Sequence, residues 1–260
     1  MIMKIKSKNY LFLSIGFIFT VFIILIFVFV YSGNYETFTN TITFLTKEET
    51  QNFIKQDSDN YINSLSIYDL RARNVKSNDE YLSIAINSCL DFNEIQKEKL
   101  KNCTTEAIKY FNNNYNWTFA LTNGSYEEGF PHTRGAVIFL SPMIINYTEN
   151  ELTKTLIHES IHIYQRFNKP QINKYLILNG YTISRKKDSK SLIRANPDLD
   201  EFIYKDKNGN ELIAYYNSEF PKGISDIRLN VISEEHPYEK MAYEYADNYM
   251  KVLMLRYKNV

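Results

Sequence analysis

The spacing of apolar residues divides most of the chain into a helical part and a mixed part. Thr46 followed by Glu49 matches a capping box, and apolar residues then recur at helical intervals, so residues 46–113 are predicted to form a helical layer. From residue 114 onward the pattern changes to short apolar runs broken by glycine, which indicates strands. The part 114–260 is therefore predicted to contain a small β-sheet whose last strand is residues 135–140.

Three further elements are predicted after this sheet. Thr148 or Asn150 can cap a helix that runs to about Phe167, where a nearby proline stops it. Residues 207–210, KNGN, lie between two apolar segments and predict a β-hairpin. Pro237 occupies a favoured first helical position, so a long C-terminal helix is predicted to begin there.

The beginning of the chain is far more apolar than the rest. Residues 11–30 contain no charged side chain and, at about 1.5 Å per residue, are long enough to cross a bilayer, so a transmembrane signal anchor is predicted at 11–31. Lysines in residues 1–10 place this tail in the cytosol and leave 35–260 as the lumenal or extracellular domain of a type II membrane protein. A cleaved signal peptide is the alternative for the same segment.

Composition and charge exclude some partners but indicate no function. The 30 Lys and Arg residues balance 30 Asp and Glu residues, so no basic surface suggests a nucleic-acid partner. A hydrophobic content of 44% with 8 Gly and 6 Pro favours a packed core over disorder. The two cysteines, Cys89 and Cys103, could form a disulfide in an oxidising compartment or stay thiols in a reducing one.

The segment HESIH, from His158 to His162, carries the most specific chemistry. Residues four apart lie on one face of a helix, so both imidazoles can ligate one Zn²⁺. Glu159 lies between them and can act as the general base toward a water that zinc acidifies. Apolar residues flank the motif on both sides of the helix, which predicts burial, and buried polar groups without partners are costly.

A catalytic zinc also needs a third protein ligand and an open position. Glu239 lies on the same stripe of the predicted C-terminal helix as Ala242 and Ala246, whose small side chains would allow a close approach to the motif helix. Glu244 falls about 140° away from Glu239 around that helix. Glu239 is therefore the predicted third ligand, and Glu244 is the second choice.

These residues resemble the gluzincin zinc metallopeptidases, in which a glutamate on a later helix completes the His-Glu-x-x-His site. The spacing from Glu239 to Ala242 is similar to that in the ligand helix of CAAX-type membrane proteases, which continue Ala-Asp where this chain has Ala-Tyr. Through the segments HTRG and HPYEKMAY, the part after the anchor resembles uncharacterised membrane-anchored peptidase-like proteins of large DNA viruses. The resemblance implies a zincin-like α+β fold, in which an edge strand, here 135–140, packs on the motif helix and binds substrate by β-augmentation.

Several other residues are candidates for a role in the site. His236 could stabilise the oxyanion of a tetrahedral intermediate, cap the last helix, or pair with Glu234 or Glu235. His132 and Arg134 precede the predicted edge strand and could contact substrate or make ordinary loop contacts. Tyr243 could donate a hydrogen bond at the site or belong to the core, and residues 194–198, RANPD, are predicted to form a turn.

Three hypotheses for function follow. The first is a membrane-anchored zinc hydrolase, most simply a metallopeptidase acting on a peptide or protein, with one Zn²⁺ per chain bound by His158, His162 and Glu239. The second is a catalytically inactive anchored protein that keeps the zinc site as a structural or partner-binding element. The third is that the motif is accidental and its histidines are core residues with hydrogen-bond partners.

Overall fold

The computed structural model describes residues 40–112, 114–188, 191–231 and 234–258. The helices are α1 (Lys47–Gln56), α2 (Ile67–Ala72), α3 (Asn78–Ser88), α4 (Glu94–Tyr110), α5 (Pro142–Ile145), α6 (Glu149–Phe167), α7 (Lys169–Leu178) and α8 (Pro237–Lys258). The strands are β1 (Ile42–Phe44), β2 (Cys89–Leu90), β3 (Trp117–Thr122), β4 (His132–Arg134), β5 (Val137–Leu140), β6 (Thr182–Lys186), β7 (Phe202–Lys205), β8 (Glu211–Leu212), β9 (Ala214–Tyr216) and β10 (Ile227–Leu229).

A five-stranded mixed sheet lies between two helical layers. β3 pairs in parallel with β5 on one side and with β1 on the other, where β2 adds an antiparallel pair to the end of β3. β4 completes the sheet antiparallel to β5. Two smaller antiparallel sheets, β6-β7-β8 and β9-β10, follow in the second half of the chain. The fold class is therefore α+β with mixed sheets.

Side chains of the central strands alternate between two hydrophobic cores. Phe119 and Ile138 pack on one face of the sheet with residues from α4, α6 and α8. Ala120 and Phe139 pack on the other face with residues from α1 and α3. All four residues of β5 are buried, as expected for an interior strand covered on both faces.

The prediction that residues 135–140 form an edge strand is wrong. β5 lies between β3 and β4, so the edge of the sheet is β4. Gly135 has a φ of +56° and forms a two-residue turn with Ala136, which reverses the chain into a hairpin. The sequence in this region therefore forms two antiparallel strands, and its apolar run forms the interior strand, β5.

The outer edge of β4 is also occupied by side chains. The Thr133 amide donates a hydrogen bond to Asp198 Oδ1 at 2.7 Å. Its carbonyl accepts one from Arg166 Nη2 at 2.9 Å. The main-chain groups that a substrate strand would pair with at Thr133 are thus already bonded, which contradicts the expected β-augmentation at this position.

Several predicted element boundaries are confirmed. Thr46 and Thr148 both form capping boxes at the starts of α1 and α6. α6 ends at Phe167, and α8 begins at Pro237. The KNGN segment lies in the turn between β7 and β8, where Gly209 has a φ of +84°. β2 departs from the predicted helical layer, because it lies within residues 46–113 and joins the sheet.

The predicted transmembrane helix, and the type II localisation that depends on it, require correction. Among residues 40–112, 114–188, 191–231 and 234–258, no helix is both long and apolar enough to cross a bilayer. The two longest, α6 and α8, carry charged side chains on their exposed faces, including Glu149 and Glu244. The segment 11–31 itself lies outside the described residues. The corrected fold class has no membrane-spanning helix in the part of the chain that the structure describes.

The two cysteines are free thiols in separate parts of the core. Cys89 lies in the core on the α1 and α3 side of the sheet, whereas Cys103 lies in the core on the α4 side. Burial raises the pKa of the Cys89 thiol to about 11. The structure therefore does not bring the candidate disulfide pair together.

Arg134, a candidate for substrate contact, instead forms buried ion pairs within the fold. Its side chain is fully buried. Its Nη2 lies 2.5 Å from Asp57 Oδ1 and also pairs with Asp59, while Nη1 donates to the Tyr126 hydroxyl at 3.0 Å. These contacts tie β4 to the segment after α1, so Arg134 holds the sheet edge in place.

Replacing Arg134 by methionine should strongly destabilise the protein. Asp57 would remain buried without a cation, at a cost of roughly 3–5 kcal/mol. Urea denaturation would measure the free energy of unfolding. Arg185→Met is the control, because Arg185 is 42% exposed and its ion pair with Glu211 should contribute about 1 kcal/mol or less. Equal losses in the two variants would contradict this account.

Candidate metal centre

α6 and α8 bring three metal-binding side chains together. The Nε2 atoms of His158 and His162 lie 3.0 Å apart. Glu239 Oε2 lies 3.3 Å from the first and 3.8 Å from the second. Ligands about 2.0–2.1 Å from a tetrahedral zinc would be separated by roughly 3.3 Å, which these distances bracket. This group could therefore hold a metal ion.

The hydrogen bonds of Gln165 determine which nitrogen of His162 is free. Gln165 Nε2 donates to the Tyr238 carbonyl at 2.9 Å, so its Oε1 faces His162 Nδ1, also at 2.9 Å. An amide oxygen only accepts, so Nδ1 of His162 carries the hydrogen. The lone pair of the neutral imidazole is then on Nε2, which points toward the other two metal-binding atoms, His158 Nε2 and Glu239 Oε2.

Burial and neighbouring groups favour the forms that bind metals. Burial holds the pKa of His162 below its ordinary value and so favours the neutral imidazole. Burial acts to raise the pKa of Glu239, but attraction to His162 in its protonated form, together with hydrogen bonds with His158 and Asn196, outweighs burial, so this pKa is lowered. A neutral imidazole and an ionised carboxylate are the states in which these side chains coordinate a cation.

Glu159 is buried beside this group and has an unused oxygen. It is 2% exposed, and its Oε2 has no hydrogen-bond partner among the described residues. Burial raises the pKa of Glu159 well above its ordinary value, and the carboxylates of Asp198 and Glu239 raise it further. A buried unpaired carboxylate oxygen is costly, and a water held between Glu159 and a metal would satisfy it.

A cleft of about 750 Å³ gives access to these residues. Its walls come from α6, α8, β4 and the segments 194–198 and 224–227. His158, Glu159 and Glu239 all line it. This volume lies within the range of typical small-molecule and cofactor sites, so the donor group is open to a ligand.

Two predicted site residues lie elsewhere. His236 does not line the cleft: its Nδ1 accepts from the Tyr238 amide at 3.1 Å, and its Nε2 lies 3.3 Å from Asp200 Oδ1. It therefore caps α8, which was one of the alternatives to an oxyanion role. Glu244 is 47% exposed at its side chain and accepts from the Tyr175 hydroxyl at 3.2 Å, away from the histidines.

His132 and Tyr243 line the cleft. His132 stacks on Phe139 with ring centroids 5.0 Å apart, and its Nδ1 lies 3.0 Å from the Phe130 carbonyl. Tyr243 is 44% exposed and packs edge-on against His158, with ring centroids 4.5 Å apart. Of the two proposed substrate contacts, only His132 is therefore part of the cleft wall, where its side chain is buried.

Sequence reasoning did not identify the residues that support the three donors. Gln165 and Arg166 come three and four residues after the end of the motif, and their polarity beside buried positions of the same helix was the available signal. Asn196 and Asp198 lie in the predicted turn 194–198, which the structure places in the cleft wall. Their partners are distant in sequence, so no local pattern marks them.

Comparisons with protein-family models, with curated proteins and with solved structures give no significant match. The chain is assigned to no family. The resemblances to gluzincins and to the viral proteins therefore stay predictions, and the arguments about function rest on the geometry of the site.

Removing Glu239 should weaken metal binding far more than removing Glu244. Glu239→Ala deletes one of three donors, so its loss of affinity should exceed the roughly 10–100-fold typical of outer partners. Glu244→Ala changes only an exposed side chain and should bind like the parent. Elemental analysis of the metal-loaded chains after gel filtration would measure zinc per chain. Retention of full zinc by Glu239→Ala would contradict the assignment.

Lowering the pH should destabilise the metal-free protein partly through His132. Burial lowers the pKa of His132, so the folded chain resists a proton that the unfolded chain accepts near pH 6.5. The free energy of unfolding should therefore fall below that pH, with His132 contributing at most about 1.4 kcal/mol per pH unit. His132→Phe keeps a ring against Phe139 but cannot titrate, so its free energy of unfolding should fall less with pH than that of the parent. Urea denaturation at pH 7.5 and 5.5 would show this, and identical pH dependence would contradict it.

Proposed function

We propose that this chain is a zinc-dependent hydrolase that cleaves peptide bonds, with one Zn²⁺ bound by His158, His162 and Glu239. The observation that carries the proposal is the unpartnered Oε2 of Glu159, a residue that lines the same cleft as His158 and Glu239. A metal site that only stabilises the fold has no use for a buried carboxylate with a free oxygen.

The donor set supports zinc. Two imidazole nitrogens and one carboxylate oxygen form a known ligand set of catalytic zinc sites, which leave one position for water or substrate. The donor spacings suit a small tetrahedral ion, and the cleft gives access to the open side. Ca²⁺ and Mg²⁺ prefer oxygen ligands, so histidines make them poorer candidates.

The residues around the site supply the remaining functions of a hydrolase. When bound, zinc supplies a Lewis acid that acidifies water and polarises the substrate carbonyl. Glu159 takes the proton of the attacking water, and its raised pKa makes it a stronger base than an ordinary glutamate. The same carboxyl can then donate that proton to the leaving amine.

Tyr243, which packs against His158, is proposed to assist at the substrate carbonyl. Burial raises its pKa, and the nearby Glu239 carboxylate raises it further, so the phenol stays protonated at neutral pH. A protonated phenol beside the metal ligands can donate a hydrogen bond to an oxygen that gains negative charge. Together with the gluzincin resemblance, this favours hydrolysis of an amide.

Replacing Glu159 by glutamine should abolish hydrolysis but not metal binding. Loss of a general base typically costs 10²–10⁴-fold in rate, whereas the three zinc donors remain in place. The assay is cleavage of a mixed peptide library followed by mass spectrometry, together with zinc content. Glu149→Gln is the control, because Glu149 lies exposed in the first turn of the same helix.

The outcomes separate the three hypotheses. Cleavage by the parent and by Glu149→Gln, but not by zinc-loaded Glu159→Gln, would support the hydrolase. Stoichiometric zinc without cleavage of any peptide would indicate the inactive metal-binding protein. Absence of zinc from the folded parent would show that the motif is accidental.

A further inference from the structure

We propose that Asn196 is a positioning residue that holds Glu239 as a one-oxygen metal ligand and so keeps a metal position open. This inference rests on the proposed zinc site and deepens it. Asn196 lies in the 194–198 segment, 43 residues before Glu239 in sequence, and touches none of the histidines in any contact of the described residues.

The orientation of the Asn196 amide is determined by its partners. Its Oδ1 accepts a hydrogen bond from the main-chain amide of Asp198 at 2.9 Å. Its Nδ2 must therefore face the other way, where it donates to Glu239 Oε1 at 2.9 Å and to Glu235 Oε1 at 2.7 Å. Both N–H groups and the oxygen are thus in use, and the reversed orientation would lose all three bonds.

Because of this hydrogen bond, the two oxygens of the Glu239 carboxylate have different partners. Oε1 is bound by Asn196, while Oε2 lies near the Nε2 atoms of His158 and His162. A carboxylate held in this way presents one oxygen to a cation. If Oε1 were free, both oxygens could bind the metal and occupy the position that catalysis leaves for water.

The segment that carries Asn196 is anchored on both sides. The Ala195 amide donates to Asp69 Oδ1 at 2.7 Å, and the Pro197 carbonyl accepts from Arg166 Nη2 at 2.6 Å. Arg166 belongs to α6, the helix of the two histidines. The amide is therefore held in fixed relation to α2 and α6 and cannot easily follow a displaced Glu239.

Arg194 pairs with the second carboxylate that Asn196 contacts, which is that of Glu235. Its guanidinium pairs with both oxygens of Glu235, through Nε at 3.4 Å and through Nη2. The charge of Glu235 is thus balanced by Arg194. Glu239 forms no ion pair with an arginine among the described contacts and interacts with Arg194 only at longer range, so its Oε2 remains available to a cation.

Visible absorption of the Co²⁺-loaded full chain would test this inference. Four-coordinate Co²⁺ absorbs strongly, and absorption weakens as the coordination number rises. Asn196→Ala removes the amide, and Asn196→Asp keeps its shape but replaces the donating group with an acceptor. We expect weaker absorption in both variants and Co²⁺ affinity roughly 10-fold or more below the parent. Asn173→Ala, an exposed position on α7, should match the parent.

The two variants also separate positioning from a structural role. If Asn196 only filled space, Asn196→Asp would keep the parent spectrum, and that result would overturn the inference. Thermal melting would show whether both variants are folded. If Asn196→Ala does not fold, the isosteric Asn196→Asp remains informative. A parent that binds Co²⁺ but cleaves no peptide would contradict the proposed function alone. A parent that binds no Co²⁺ would contradict both.

Discussion

The metal-binding group exists because α6 and α8 approach closely enough for side chains from both to meet. Ala242 and Ala246 are fully buried in α8, and their small size leaves room for the neighbouring helix. Ile161 of α6 packs in the same cluster as Ala242. This apolar contact places Glu239 Oε2 within 3.3 Å of His158 Nε2, and every chemical argument depends on that approach.

Burial has a free-energy cost for the polar groups of this site. The two histidines and two glutamates lose water when the helices pack, so each needs a partner or a ligand. Gln165 and Asn196 supply hydrogen bonds on the sides that face away from the donor group. Glu159 lines the cleft, and its Oε2 has no hydrogen-bond partner among the described residues. The protein thus satisfies the groups that orient the ligands and leaves unsatisfied the one that would act on water.

Local patterns predicted the parts of this site that depend on helical geometry. The cap at Thr148 and the place of Glu239 on a buried stripe follow from side chains three or four residues apart. The position of 135–140 within the sheet and the role of Asn196 could not be predicted, because both depend on partners far away in sequence. His236 had several open interpretations, and its contacts with the Tyr238 amide and Asp200 distinguish them.

Anomalous X-ray scattering at the zinc edge, from crystals of the zinc-loaded chain, tests the central claim most directly. The account predicts one strong peak about 2.0–2.2 Å from His158 Nε2, His162 Nε2 and Glu239 Oε2. The peak should also leave one side of the ion facing the cleft. No peak between α6 and α8, or a peak bound by other residues, would contradict the account.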